Sequence, residues 1–471
     1  MICKDIEIKI SKGEPFSNDK LNREPIAKNL TKIANLFSDS GAVISLNGEW
    51  GAGKTTFVKM WKQQLTNDGY RCIYFNAWEC DFQEDPFVAI MSELYDSFDT
   101  TENFKEVITS GTKILTKVSG EIVKGILSKV TGIDTNVIAS ATDEITDQCL
   151  GRINDYNEHK ASLREFKEKL AEFVASDYIG KPVIFFIDEL DRCNPHFAVK
   201  LLERIKHLFD VPNIIFVLAV NINQLQYGIQ GFYGSSLING KEYLKRFFDI
   251  EYTLPEPNLE NYCDFLYECY GLKDFFECSQ RTYDPTLKDS KILFLDIAKT
   301  LLAESHLNLR KSNRLFSMTR LALTGFGVKS KFAPDVLFLL CYLKEIKPSL
   351  YSAIKYNQFS IQDLLYELES HLRNSLFSNN DMFIQHRITY TIASLIYKYN
   401  HPDGRMAKDP GFKNMSEDTD KNPIFPIKCN KLDLSHLNNA LEYYSNEMLP
   451  GDSLKSIFES IEFTNHIQVN L

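Results

Sequence analysis

"AVISLNGEWGAGKTTFVKMW", residues 42–61, passes from an apolar run through a glycine-rich turn into a helical pattern. The run 42–48 is continuously apolar enough for a strand buried on both faces. Gly48, Gly53, Lys54 and Thr55 then fit the spacing G-x-x-x-x-G-K-[ST]. The chemistry behind that spacing is physical. Glycines let backbone amides turn inward around phosphate oxygens, and the following helix presents its positive N-terminus. The lysine reaches the terminal phosphates and the threonine hydroxyl ligates magnesium. The candidate cradle is therefore Gly48, Glu49, Trp50, Gly51, Ala52, Gly53, Lys54, Thr55 and Thr56. A strand before it and a helix after it supply the context the motif requires.

Working outward, "YRCIYFNAW" (70–78) reads as a strand and "DPFVAIMSELYDSF" (85–98) as a helix, with Pro86 suited to its first turn. "VIFFIDEL" (183–190) is a buried strand ending in Asp188 and Glu189. An acid at that tip, beside a phosphate loop, holds magnesium, commonly through water. The adjacent glutamate is placed to orient and deprotonate an attacking water, which favours hydrolysis over transfer to a small metabolite. "FVLAVN" (216–221) ends in Asn221, a residue suited to sensing the terminal phosphate or equally to starting a turn. Arg246 precedes "FFDIEYTLP" and is a candidate finger acting on a neighbouring subunit's nucleotide, with Lys245 competing for the role. "LRKSNRLFSMTRLAL" (309–323) sets Arg310 and Arg314 one turn apart, as on a lid helix over phosphates or on a solvated basic face. Apolar strands alternating with helices imply a parallel sheet covered on both faces.

At 471 residues the chain is too long for one compact core, so two or three domains are expected. The division suggested is a core over 1–255, a helical lid over 256–330 and a helical C-terminal domain over 331–471. A net charge of −10 argues against a DNA-coating protein. The ten cysteines form neither a metal pattern nor a framework of short loops, which fits a reducing cytoplasm. Residues 1–10 alternate like a short strand and carry no apolar signal core. The longest apolar runs, such as "VLFLLCYL" (336–343), fall short of the ~20 residues a bilayer needs. Residues 101–160, with lysines interleaved among apolar residues, read as an inserted helical region. It packs on the core as a hairpin, or meets a membrane surface or a partner. Residues 406–426 read as a polar loop.

Taken together, "NGEWGAGKTTF", "YFNAW", "FFIDELDRCNP", "FVLAVN", "YLKRFFDIEYTLP" and "LRKSNRLFSMTRL" resemble the KAP family of P-loop NTPases over roughly residues 15–330. "FNAW" and the pattern DxLDRC are the more specific marks. The resemblance implies an α/β P-loop NTPase core with an additional strand and a catalytic glutamate, related to AAA-type ATPases. It implies binding and hydrolysis of ATP or GTP with Mg2+. Lys54, Glu189, Asn221, Arg246 and Arg310 are the candidate catalytic residues, and Thr55 and Asp188 the candidate magnesium ligands. By position Asp191 and Arg192 match the family's "DR", and Trp78 its tryptophan, a packing or loop-ordering residue rather than a catalyst. "DKLNREPIAKNL" (19–30) resembles the family's leading segment, where Arg23 is placed to contact nucleotide. Many members thread membrane segments between the phosphate loop and the acid strand; residues 101–160 are too charged for that. The implied protein is a cytoplasmic, homo-oligomeric NTPase of the bacterial phage-defence type, acting beside an effector protein. Two other classes stay open: a nucleotide-gated scaffold with little turnover, and a DNA-acting motor.

Overall fold

The computed structural model describes residues 8–83, 85–98, 102–115, 148–177, 180–305, 307–372, 375–378, 382–401, 427–446 and 453–463. They form two compact units, Ile8–Pro255 and a unit running from Glu256 onward.

The first unit begins with α1 (Glu24–Leu36), β1 (Ala42–Asn47), α2 (Lys54–Asn67) and β2 (Cys72–Asn76). Three helices follow: α3 (Pro86–Ser97), α4 (Glu102–Leu115) and α5 (Gln148–Asp177). Then come β3 (Val183–Asp188), α6 (Pro195–Leu208), β4 (Ile214–Val220), α7 (Ile222–Tyr233), α8 (Gly240–Leu244) and β5 (Ile250–Thr253). The five strands make one sheet in the order β2-β3-β4-β1-β5, all parallel. β4 lies between the strand that feeds the glycine-rich turn and the strand that ends in the acids. It is the additional strand that the sequence reading expects in the core.

Alternation along the strands feeds two cores, one on each face. Phe185, Ile187, Leu218 and Val220 pack with α3, α4, α5 and α6 residues such as Phe87, Phe104, Phe166 and Leu202. Ile184, Phe186, Val217 and Ala219 pack with Leu30 of α1 and Phe57, Val58 and Trp61 of α2. Removing side chains of this size from water on both faces is the main favourable term in the fold.

The register sets the functional edge. Asp188 is level with Asn76 on β2 and Ala219 on β4. Asn47 is level with Val220 on β4 and Thr253 on β5. Every strand therefore ends at the same rim, and whatever follows each strand gathers there.

The short strand read over 1–10 is corrected in its described part. Residues 8–10 carry no regular structure, and 1–7 lie outside the described residues. The inserted region shows its two described flanks, α4 and α5. Phe104 on α4 meets Phe98 and Phe173, at 5.4 and 4.9 Å between ring centres, so these flanks join the core. Residues 116–147, where most of the lysine-rich amphipathic reading falls, and 402–426, which include the whole polar loop, lie outside the described residues.

The second unit is helical among the described residues. Its longer members are α9 (Leu259–Cys269), α10 (Ser290–Ser305), α11 (Leu309–Ala322), α12 (Pro334–Ile346), α13 (Pro348–Lys355), α14 (Ile361–His371), α15 (Met382–Asn400), α16 (Leu434–Asn446) and α17 (Leu454–Phe463). α12 is buried almost all round, from Val336 to Leu343, which makes it the centre of this unit.

Candidate functional site: the rim of the parallel sheet

The turn after β1 is built by backbone conformation. Gly51 and Gly53 have φ of 79° and 81°, a region that favours glycine and that residues with side chains adopt only at a cost. Gly53 is the N-cap of α2 and brings no side-chain cap, so the first turn of that helix faces the loop without an internal acceptor from the cap. Gly48 donates its N–H to the Val220 carbonyl at 3.1 Å, pinning the loop to β4. A Cβ on Gly48 would stand 3.4 Å from Lys54 Cγ, in ordinary contact with the lysine stem, which packs along the loop.

Lys54 is buried and its Nζ donates to the Gly48 carbonyl at 2.5 Å and the Glu49 carbonyl at 3.3 Å. Burial holds its pKa below the ordinary lysine value, against Asp191, Asp188 and Glu49, which favour the charge. The buried ammonium rests on two carbonyls of the glycine-rich turn.

Asp188, at the tip of β3, is 1% exposed. Tyr74 donates its hydroxyl to Oδ2 at 3.1 Å and Glu189 its N–H to Oδ1 at 2.9 Å. Desolvation pushes this carboxyl above its usual value, while the Thr55 hydroxyl, Tyr74 and the Glu189 amide pull it back. Thr55 and Asp188 thus stand together as an oxygen pair. Hard oxygens from one carboxylate and one hydroxyl suit magnesium, which takes few protein ligands and completes its shell with phosphates and water. The donor set fits the ion.

Glu189 has φ 60° and ψ 22°, left-handed for a residue that bears a side chain, at a cost of about 1–3 kcal/mol. Its carboxylate is paired with Arg192 at 2.7 Å. The guanidinium of Arg192 lies 5.5 Å from the Trp78 ring. Asp191 accepts the Trp50 indole N–H at 2.5 Å, tying the segment after β3 to the phosphate loop. The "FNAW" stretch earns its place locally. Ala77 N–H extends the ladder to the Asp188 carbonyl at 3.0 Å, and Asn76 accepts from Trp78 N–H at 3.2 Å, which turns Trp78 toward Arg192.

Asn221 is 1% exposed and both ends of its amide are engaged. Its oxygen caps α7, accepting from Asn223 and Gln224 N–H, and its Nδ2 donates to Glu49 at 3.0 Å. It sits at the rim beside the loop, and it also does the work of a helix-starting asparagine. Arg246 is exposed, with its guanidinium 5.9 Å from the Tyr243 ring. Lys245 is paired with Glu242 at 3.0 Å. Arg310 is exposed on α11 of the second unit, where Arg314 pairs with Glu345 at 3.3 Å.

Arg23 lies beneath the loop. It is 3% exposed, its Nη1 donates to the Gly53 carbonyl at 3.3 Å, and its Nη2 is buried with no hydrogen-bond partner among the described residues. Desolvation lowers its pKa to about 10. Asp19 orders the approach, accepting the N–H groups of Leu21, Arg23 and Glu24.

Tyr74, Glu49 as partner of Asn221, and the Arg192–Glu189 pair are absent from the sequence reading. Tyr74 reaches Asp188 only because β2 and β3 are neighbours, a pairing that no local pattern encodes. Arg192 carried a signal, its place in "DELDRC", without a role.

Comparison with known proteins follows the same line. The sequence profile of the KAP family P-loop domain matches residues 23–323. An uncharacterized protein of Methanocaldococcus jannaschii is 25% identical, over 31% of this chain and 89% of its own length. Among solved structures, the Aeropyrum pernix ORC2 protein in ADPNP and ADP complexes covers 94% of this chain and 95% of its own, at 11% identity and a TM-score of 0.34, a remote likeness.

Proposed function

The chain belongs to the KAP family of P-loop NTPases, and on that premise we propose that it hydrolyses a nucleoside triphosphate, ATP first and GTP second, with Mg2+. The observation that carries this reading is the strand register, which lines up the ends of β1, β3 and β4. It sets buried Lys54, the Thr55–Asp188 oxygen pair and Glu189 at one rim.

The proposed chemistry is attack of water on the terminal phosphorus. Glu189 takes the water's proton as the new P–O bond forms, and the bond to the bridging oxygen breaks to release the diphosphate. Lys54 and the amides of Gly48 to Thr56 hold the phosphates. Thr55 and Asp188 would hold Mg2+, which neutralises phosphate charge when bound. Arg246 is proposed as a finger reaching a neighbouring subunit, Asn221 as a sensor at the rim, and Arg310 as a lid contact. Residues 256–330 are read as the lid and 331–471 as a helical domain that meets a partner effector. A cytoplasmic placement is part of the proposal; among the described residues no helix is long and apolar enough to cross a membrane.

The test is magnesium-dependent phosphate release from ATP and GTP. Lys54→Ala should abolish binding. Glu189→Gln should keep binding and lose turnover by ~10²–10⁴-fold, the range for a general base. Release unchanged by Glu189→Gln sinks the hydrolytic reading. The Arg192–Glu189 pair favours a second reading, a nucleotide-gated scaffold, which predicts tight binding by the wild type with no turnover. Stimulation by duplex DNA in the same assay would revive a DNA motor. The defence role is proposed from the family resemblance. Phage plating on cells expressing the wild type or Lys54→Ala tests it, and equal plating removes it.

A further inference from the structure

We propose that Arg192 is a catalytic residue of this site. It is a cis-acting arginine that takes the terminal phosphate of the bound triphosphate and, in moving to it, releases Glu189. This deepens the hydrolytic reading above and rests on it.

Three contacts place Arg192. Its Nη1 is 2.7 Å from Glu189 Oε1, an ion pair with side chains 31% and 15% exposed. Its guanidinium lies 5.5 Å from the centre of the Trp78 ring, itself 51% exposed. Its neighbour Asp191 is fastened to the phosphate loop through Trp50 Nε1. The turn Leu190–Arg192 is therefore held to the loop on one side and to the "FNAW" segment on the other. Arg192 also stands within the field of the Lys54 ammonium, whose charge it opposes. Two cations thus approach one place, and the acids now compensating them are Asp188, Glu189, Asp191 and Glu49.

As it stands, the pair keeps Glu189 from acting. Oε1 is taken by a charge-assisted hydrogen bond from Arg192, so the oxygen that would receive the water's proton is already occupied. A terminal phosphate changes the balance. It carries more charge than one carboxylate and presents several acceptor oxygens to the planar fork of the arginine. Arg192 needs only a side-chain rotation, since its backbone is tied through Asp191. Once it turns, Glu189 faces the rim with its oxygens vacant, and the guanidinium neutralises charge on the group being transferred. A diphosphate lacks that group and leaves the pair closed. Arg192 would therefore both read the third phosphate and license the base.

The test separates binding from turnover. Wild type, Arg192→Gln, Arg192→Lys and Lys54→Ala are titrated with a non-hydrolysable ATP analogue and with ADP, and phosphate release is followed. The proposal expects Arg192→Gln to bind ADP like the wild type, to lose the preference for the triphosphate analogue, and to lose turnover by ~10³-fold or more, the scale of an arginine finger. Arg192→Lys should restore part of the preference, because a point charge replaces the fork. Unchanged ADP binding shows that the two Arg192 variants are folded. Wild-type preference and turnover in Arg192→Gln would overturn the proposal. So would equal loss of ADP and triphosphate binding in Arg192→Lys, which is the mark of a structural role. If the wild type binds both nucleotides and releases no phosphate, the hydrolytic reading fails alone, and the triphosphate preference still judges Arg192. A wild type that binds no more nucleotide than Lys54→Ala removes both.

Discussion

At the scale of single residues, the rim concentrates polar groups that a stable core would avoid. Lys54, Asp188, Asn221 and Arg23 are each at most 8% exposed. Burying such groups is costly unless they are paired, and most of them are paired with the loop itself. Arg23 is the exception in one atom, its orphaned Nη2. Arg23→Ala removes a buried cation and one bond to the Gly53 carbonyl, while the Phe57 N–H keeps that carbonyl satisfied at 3.1 Å. The expected result is a loss of ~1–3 kcal/mol of stability, read by thermal denaturation, with a looser loop and weaker nucleotide binding. An unchanged melting temperature together with unchanged binding contradicts that account. Most of these residues were legible from the one-dimensional string, because glycine spacing, a lysine and two acids after an apolar run are local signals. The partners were not. Tyr74 and Glu49 act through contacts with residues distant in sequence, and Arg192 meets Glu189, three residues back, only because of the turn that the backbone takes between them.

At the scale of elements, helix starts decide how the rim is braced. Asp85 caps α3, accepting the Phe87 N–H at 2.9 Å, and receives Arg204 of α6 through Nε at 3.2 Å and Nη2 at 2.7 Å. One carboxylate thus starts one helix and fixes a second against it, at 6% exposure. Asp85→Ala loses the cap, worth about 1 kcal/mol, and strands the guanidinium. Chemical denaturation should show a clear drop in midpoint, while Arg204→Met, which removes the charge with its partner's cap intact, should cost less. The reverse order would mean that the cap is the minor part. "DPF" at 85–87 showed the helix start in the sequence, through proline at the first helical position. The bidentate clasp to Arg204 was invisible there, since 119 residues separate the two.

At the scale of the whole molecule, the sheet order organises function. A parallel sheet brings the ends of all its strands to one side, so residues from 48, 76, 188 and 221 meet although they are far apart in the chain. Arg246 is exposed, with its guanidinium 5.9 Å from the Tyr243 ring. If it serves a neighbouring subunit, Arg246→Ala should bind nucleotide normally and lose hydrolysis by ~10³-fold or more, the range for such fingers. Mixing it with Glu189→Gln protein should restore part of the activity, because each supplies what the other lacks. Full activity of Arg246→Ala at a dilution where native mass shows single chains contradicts the idea.

What the sequence by itself determined were the features that depend on neighbours in the chain. These are the phosphate loop, the acid-tipped strand, the alternation of strands and helices, and the family that "FNAW" and "DELDRC" mark. Local backbone preference and burial pattern carry that information. What only the tertiary structure decided were the pairings: which strand lies between β1 and β3, that Asn221 is held by Glu49, and that Glu189 is held by Arg192. The physical reason is reach. A side chain samples a few ångströms, and which group stands at that distance is set by sheet order and register for Asn221 and Glu49, and by the left-handed backbone turn at Glu189 for Arg192.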